Sequence, residues 1–175
     1  MTILTIVFIV LAIPFVVAAF QSKDYAIVRD TIVNRSRHEV FEYVKILRNS
    51  DQYSKWVMTD PGMKKEYIGT DGTKGFIYTW DSANKNVGKG QQEIKRIIEG
   101  ERIDYELRFI KPFEGNAEAY IITEPVEADK TRVTWAFVGE KNYMAKLVHM
   151  IMPLQKMLGN DLTISLGNLK TNLEK

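Results

Sequence analysis

The chain of 175 residues contains no cysteine, only two histidines and almost no excess of charge of one sign. Without cysteine it has no disulfide, no thiolate nucleophile and no cysteine-ligated zinc. Because His38 and His149 are the only imidazoles, a centre built from several histidines is excluded, and we predict no metal site. A net charge of +2 is too small for a nucleic-acid binder, which carries a clustered basic surface.

The motifs of several common enzyme classes are also missing. The sequence contains no G-x-S-x-G, no G-x-x-x-x-G-K and no H-E-x-x-H. Gly88-Lys89-Gly90 is a lone G-x-G in or beside a predicted strand, which does not indicate a phosphate site. We therefore predict no bound cofactor.

What the N terminus does have is a long uncharged run, from Thr2 to Phe20. A helix of this length spans about 30 Å, which is roughly the hydrocarbon core of a bilayer. We favour a single-pass transmembrane anchor within residues 1–22, with residues 2–20 in the membrane. A cleaved signal peptide is the second interpretation, and it lacks the usual basic n-region. A buried core helix is the third, and it would be expected to show only one apolar stripe. The basic Lys23 and Arg29 follow the run, so the positive-inside tendency places the soluble domain in the cytoplasm.

Residues 23–175 have the length and composition of one globular domain. Tyr25 to Val33 predicts a first strand, and the capping box Ser36-Arg37-His38-Glu39 predicts the start of a helix. A second short helix is predicted through Asp51 to Trp56. Six further strand-like runs follow, separated by turn residues: Met63 to Ile68, Gly75 to Trp80, Val87 to Ile98, Arg102 to Ile110, Ala117 to Thr123 and Arg132 to Val138.

The last part of the chain changes period. From Met144 to Leu173 apolar residues recur every three or four positions, which predicts one long amphipathic helix kinked near Pro153. Short turns between successive strands favour an antiparallel arrangement. The predicted fold class is α+β: an antiparallel sheet of about seven strands, two short helices after the first strand, and a long C-terminal helix.

That order of elements resembles the START-like superfamily, often called SRPBCC, and within it the polyketide cyclase/dehydrase-like branch. The residues that carry the resemblance are the opening segment Tyr25 to Val44, Trp56, the run Gly88 to Ile94, and T-R-V-T-W at Thr131 to Trp135. The resemblance covers about Tyr25 to Glu174. It implies a helix-grip fold, in which a curved sheet wraps round the last helix and a hydrophobic ligand occupies the space between them.

Strand alternation predicts which side chains would form the wall of such a pocket. We expect six aromatic residues to face it: Trp56, Tyr78, Trp80, Tyr105, Phe109 and Trp135. The same spacing also suits ordinary core packing. As groups that could move a proton in the pocket, the sequence offers Glu93 and His149.

Two functions follow from this pattern. The first is a membrane-anchored protein that binds a hydrophobic or lipid-like small molecule. We predict no nucleic-acid partner, and the sequence does not indicate an oligomeric state. The alternative is a cyclase, dehydratase or isomerase acting on a polyketide-like or other apolar substrate, which needs at least two polar groups meeting in the cavity. A third possibility is an interaction module with an exposed apolar groove.

Overall fold

The computed structural model describes residues 22–112, 114–140 and 154–175, together with residues 15, 17, 19, 20 and 146. Most of the predicted anchor and the segment 147–153, which includes His149, lie outside the described residues. Phe15, Val17, Ala19 and Phe20 are helical and exposed. Within the described ranges, no helix is both long and apolar enough to cross a bilayer.

Seven antiparallel strands form one sheet, in the order β1-β7-β6-β5-β4-β3-β2. The strands are β1 (Asp24–Val33), β2 (Lys64–Ile68), β3 (Ile77–Asp81), β4 (Lys89–Ile98), β5 (Arg102–Lys111), β6 (Gly115–Glu127) and β7 (Lys130–Glu140). The seven predicted strands are confirmed, most with bounds shifted by one or two residues. The pairing of β4 with β5 shifts register at Lys89/Gly90 and at Ile94/Arg96. Such bulges bend a strand, which helps the sheet to curve.

The first helix, α1 (Arg37–Lys45), crosses the concave face at the end of the sheet where β1 finishes. Its predicted capping box is confirmed: Ser36 accepts from the Glu39 backbone N–H, and the Glu39 carboxylate accepts from the Ser36 N–H. At one end of α1, the Thr131 hydroxyl of β7 donates to the Arg35 carbonyl at 2.8 Å. At the other end, Lys45 Nζ lies 3.3 Å from the Glu99 carboxylate in the β4–β5 turn.

The second predicted helix, through Asp51 to Trp56, is wrong in detail, because the structure has two shorter pieces there. A 3-10 helix (Leu47–Gln52) is followed by α2 (Lys55–Thr59). The Asp71 carboxylate accepts from the backbone N–H groups of Leu47 and Arg48 and so begins the 3-10 helix. Tyr53 and Ser54 lie outside helical geometry and separate the two pieces.

The last helix, α3 (Leu154–Leu173), lies between β1 and the 3-10 helix with α2. Its 20 residues span about 30 Å. Leu162, Leu166 and Leu169 are at most 2% exposed and form its apolar stripe. The predicted start near Met144 and the kink at Pro153 lie outside the described residues.

Polar contacts fix the C-terminal half of α3 along both flanks. On one flank, Asn168 and Asn172 donate to the carbonyls of Tyr53 and Gln52 at 3.2 and 2.7 Å. On the other flank, Lys170 Nζ donates to the Ile32 carbonyl of β1 at 2.6 Å. Such contacts set the position of the helix across the sheet.

The two ends of the concave face are packed differently. At the closed end, where β1 finishes, α1 packs on β6 and β7, and Val33 and Val133 belong to the same buried core as its apolar side. The side chains that fill it are at most 1% exposed: Val33, Val40, Phe41, Val44 and Val133. At the hollow end, where β1 begins, Tyr25, Leu107 and Phe137 face a space that no described helix fills.

Candidate functional site

A cavity of about 140 Å³ occupies the hollow end of the concave face. Its wall is formed by β1, β3, β4, β5, β6 and β7, by the 3-10 helix and α2, and by Leu158 of α3. Large aromatic side chains dominate the lining. The six residues expected from strand alternation all line it: Trp56, Tyr78, Trp80, Tyr105, Phe109 and Trp135.

One wall of the cavity is a row of rings on the sheet. Tyr67 stacks on Tyr78 with ring centroids 5.5 Å apart, and Tyr78 stacks on Trp80 at 5.8 Å. Phe109 meets the edge of Trp80 at 6.2 Å. These separations are those of favourable stacked and edge-to-face pairs, so each ring supports its neighbour.

The opposite wall joins β7 to the segment between α1 and β2. Trp56 meets Trp135 and Phe137 edge to face, with centroids 6.0 and 5.6 Å apart. Tyr53 meets Trp135 in the same way at 5.9 Å. Because each ring is held in place by contacts with its neighbours, the rings do not rotate into the space between the two walls, and that space stays open.

Two glycines shape the floor next to Trp80. A Cβ at Gly90 would lie 2.6 Å from the Trp80 ring and 2.6 Å from the Arg108 carbonyl oxygen. Gly88 has φ +69°, and a Cβ there would collide with the Lys111 carbonyl. The Gly88-Lys89-Gly90 motif therefore serves close packing in and beside the sheet, where only glycine leaves room for Trp80.

The polar groups of the lining residues are hydroxyls, the indole N–H groups of the tryptophans and one amide. Tyr78 and Tyr105 are 5% and 2% exposed, and within the described chain their hydroxyl oxygens have no hydrogen-bond partner. Gln92 lines the cavity directly opposite Tyr78 in the pairing of β3 with β4. Burial raises the pKa of both tyrosine hydroxyls well above the ordinary value, so both keep their protons at neutral pH.

Part of the lining reaches the surface. Tyr25, Trp56, Val87, Phe109 and Leu158 are only partly buried, whereas most of the other wall residues are buried. These five residues form the rim of the cavity. Tyr25 is the second residue of β1, so the rim lies near the start of this strand.

The two candidate proton-transfer residues do not meet in this cavity. Glu93 lies on the convex face, because β4 turns Gly90, Gln92 and Ile94 inward. Its carboxylate is 3.2 Å from Lys95 Nζ, in a surface ion pair. His149 lies outside the described residues.

Sequence reasoning missed several lining residues. Gln92 could have been found from the sequence, since it alternates with the apolar Ile94 along β4. Tyr25 and Phe137 follow the alternation of β1 and β7. Tyr53 lies in an irregular segment that has no periodic pattern, so no local signal indicated it.

No protein family model matches the chain, and no curated protein matches it. Solved structures do. Norcoclaurine synthase from Thalictrum flavum is 14% identical, with a TM-score of 0.61 over 87% of this chain and 94% of that one. Its complex with dopamine and hydroxybenzaldehyde gives 13% identity and a TM-score of 0.56, over 86% and 89%. A protein from Mesorhizobium loti gives 9% identity and a TM-score of 0.62, over 85% and 96%.

This chain has the helix-grip fold. The predicted resemblance to START-like, or SRPBCC, proteins is confirmed at the level of the fold. The assignment to the polyketide cyclase/dehydrase-like branch stays a prediction. A fold of this kind hosts several chemistries, so function has to be argued from the cavity itself.

Proposed function

We propose that this domain binds an uncharged hydrophobic small molecule in the cavity, and that its N-terminal segment tethers it to a membrane. The observation that carries the proposal is the space of about 140 Å³ left between two braced aromatic walls. Protein interiors are close-packed, so the side chains that line this space lack packing contacts on one side. A ligand that fills the space restores those contacts.

The volume limits the ligand. An apolar cavity of roughly 150 Å³ accepts a molecule about the size of benzene. One ring, or the end of a longer apolar chain, therefore fits the cavity as it stands. A ring that buries roughly 150 Å² at about 25 cal/mol per Å² gains on the order of 4 kcal/mol, which corresponds to a Kd of about 1 mM.

Aromatic ligands are further supported by a structural relative. Norcoclaurine synthase from Thalictrum flavum, which shares the fold, has been solved with dopamine and hydroxybenzaldehyde, two molecules with a single ring. In this chain, rings on both sides of the cavity would pack against such a ligand. Stacked and edge-to-face pairs add about 0.5–1.5 kcal/mol to the gain from burial alone.

We favour binding over catalysis because of the groups that form the wall. A cyclase, dehydratase or isomerase needs a proton donor and a proton acceptor within reach of the substrate. The described lining offers apolar surface, tryptophan indole N–H groups, serine and tyrosine hydroxyls and the Gln92 amide. These groups hold and orient a ligand, whereas the carboxylate of Glu93 lies on the other face of the sheet.

The membrane tether is supported by the uncharged run from Thr2 to Phe20 and by the position of the rim. Phe20 is 88% exposed and precedes Tyr25, a rim residue, by a few positions. A molecule dissolved in the bilayer would therefore have a short path into the cavity. A single-pass anchor with the domain on the cytoplasmic side remains the prediction made from the charges.

Ligand binding is tested by tryptophan fluorescence, because all three tryptophans line the cavity. The full chain in lipid nanodiscs is titrated with toluene. We expect a saturable change with a Kd near 1 mM. In Ala117→Leu, which fills the cavity from β6, the affinity should fall at least tenfold. Ala83→Leu adds the same bulk at an exposed turn and should change nothing.

Two results would contradict the binding proposal: a wild-type titration without saturation, or equal affinity in Ala117→Leu. Both variants share the same nanodisc, so partition of toluene into lipid affects them alike. The tether is tested separately by alkaline extraction of membranes from cells that make the full chain. Release of the full chain into the soluble fraction would remove the tether and leave the binding proposal standing.

A further inference from the structure

Two buried tyrosine hydroxyl groups, on residues that line the same cavity, lack a hydrogen-bond partner within the described part of the chain. The Tyr78 and Tyr105 side chains are more than nine-tenths buried, and their hydroxyl oxygens form no hydrogen bond within the described part of the chain. The large majority of buried side-chain polar atoms in native proteins are hydrogen-bonded, so a buried hydroxyl without a partner needs a physical explanation. Two such hydroxyls in one cavity point to a partner that the protein itself does not supply.

The strand register brings these hydroxyls to one side of the cavity. Tyr78 of β3 pairs with Gln92 of β4, and Gln92 pairs with Leu107 of β5. Tyr105 is the inward-facing residue that comes just before Leu107 on β5. All four residues line the cavity, and Tyr78, Gln92 and Tyr105, on three adjacent strands, form the polar sector of a largely apolar wall.

We propose, resting on the proposed function, that the ligand is a phenol, a ring alcohol or a ring ketone whose oxygen is hydrogen-bonded by Tyr78 and Tyr105. A tyrosine hydroxyl donates one hydrogen bond, and a neutral oxygen has two lone pairs to accept one from each. Where the ligand oxygen carries a hydrogen, the Gln92 side-chain carbonyl can accept it. The rest of the ring then lies against the aromatic walls.

The same geometry excludes a charged ligand. The lining residues of the described chain carry no ionic side chain. A carboxylate or an ammonium buried there would lose its hydration without gaining an opposite charge, which is strongly unfavourable. The cavity therefore favours a ligand with a neutral oxygen over a charged ligand. Through its hydroxyls, it also favours a ligand with a neutral oxygen over a plain hydrocarbon.

A buried water is the competing occupant of the polar sector. A water needs two to four polar partners, and the two hydroxyls with Gln92 could provide them. If water alone satisfies the tyrosines and no ligand oxygen replaces it, the cavity will not distinguish a hydroxyl from a methyl group on the ring. This difference makes the two explanations separable.

Phenol and toluene are the matched probes, because they differ only in a hydroxyl and a methyl group of similar size. We compare the ratio of their Kd values in the wild type and in Y78F, Y105F and the double variant, using the same full-chain nanodiscs. Removing both hydroxyls should weaken phenol relative to toluene at least tenfold, because the phenol oxygen then has no donor. Tyr120→Phe, which removes a hydroxyl on the convex face, outside the cavity lining, should leave the ratio unchanged.

An unchanged ratio in the double variant, with both probes still bound, would overturn this inference and leave the proposed function intact. Failure of the wild type to bind either probe would remove both. A second measurement does not depend on the variants folding. In wild-type protein with ¹³C-labelled tyrosine, phenol should shift the Cζ resonances of Tyr78 and Tyr105 while toluene leaves them in place. Equal shifts with the two probes would count against the inference.

Discussion

The closed end and the hollow end of one sheet face are packed by different kinds of side chain. At the closed end, α1 brings Val40, Phe41 and Val44 against the strands, and each is at most 1% exposed. At the hollow end no described helix plays this part, and α3 contributes only Leu158 to the lining. Strand alternation predicts that the whole concave face of the sheet is apolar. A helix covers this face at the closed end, whereas a space remains above it at the hollow end.

The difference shows that the shape of the side chains matters as much as their hydrophobicity. Aliphatic side chains on a helix and on strands interdigitate and reach the density of a protein interior. Large rings that touch edge to face, such as Trp56 with Phe137, hold each other at fixed angles. Such rings resist collapse, so an apolar wall can surround an empty space.

The largest effect is expected from a substitution at the closed end. Phe41→Ala should lower the free energy of unfolding by about 3–5 kcal/mol, because it opens a cavity in a filled core. Phe109→Ala, at the partly exposed rim of the hollow end, should cost only about 1–2 kcal/mol, since its ring is incompletely buried. Urea denaturation of both variants measures the difference. Equal losses would show that the two ends are packed alike.

A medium effect is expected from Gly90→Ala, which acts at the floor of the hollow end. The new methyl group would press on the Trp80 ring and on the Arg108 carbonyl, and overpacking of this kind costs about 1–3 kcal/mol. Because Trp80 would have to move toward the cavity, the toluene affinity should fall as well. Gly115→Ala is the control, since no atom lies within 4 Å of the added group. A normal affinity in Gly90→Ala would mean that Trp80 has moved elsewhere.

The smallest effect is expected on the convex face, away from both ends. The Nε atoms of Arg96 and Arg102 each lie 2.6 Å from an oxygen of the Asp104 carboxylate. Burial alone would raise the pKa of Asp104, but the two guanidinium groups lower it by more. The pKa of Asp104 is therefore below its ordinary value. This stabilisation is complete above about pH 4 and is lost as the pH falls through the folded pKa. Asp104→Asn should cost under about 1 kcal/mol at pH 7.

The pH dependence gives the control for this last variant. The difference in unfolding free energy between wild type and Asp104→Asn should shrink as the pH falls below about 4, because the wild-type carboxyl becomes neutral there. Toluene affinity at pH 7 should be the same in both proteins. A loss of affinity in Asp104→Asn would mean that the convex face influences the cavity.

Local pattern predicted most of the fold for identifiable reasons. Alternation along β5 placed Tyr105, Leu107 and Phe109 inward, and the structure has them there. The capping box at Ser36 and Glu39 predicted the start of α1. The helix predicted through Asp51 to Trp56 failed as a single element, because Asp71, distant in sequence, binds the backbone at Leu47 and Arg48 and sets a different geometry.

By itself, the sequence determined the strands, the faces of their side chains and the six aromatic residues that line the cavity, because these depend on periodicities of a few residues. Only the tertiary structure decided that the rings leave a space, that Gln92 rather than Glu93 borders it, and that the hydroxyls of Tyr78 and Tyr105 lack partners. Those properties depend on the register between strands and on the angles at which distant rings meet. Such contacts join residues far apart in the chain, and no local pattern encodes them.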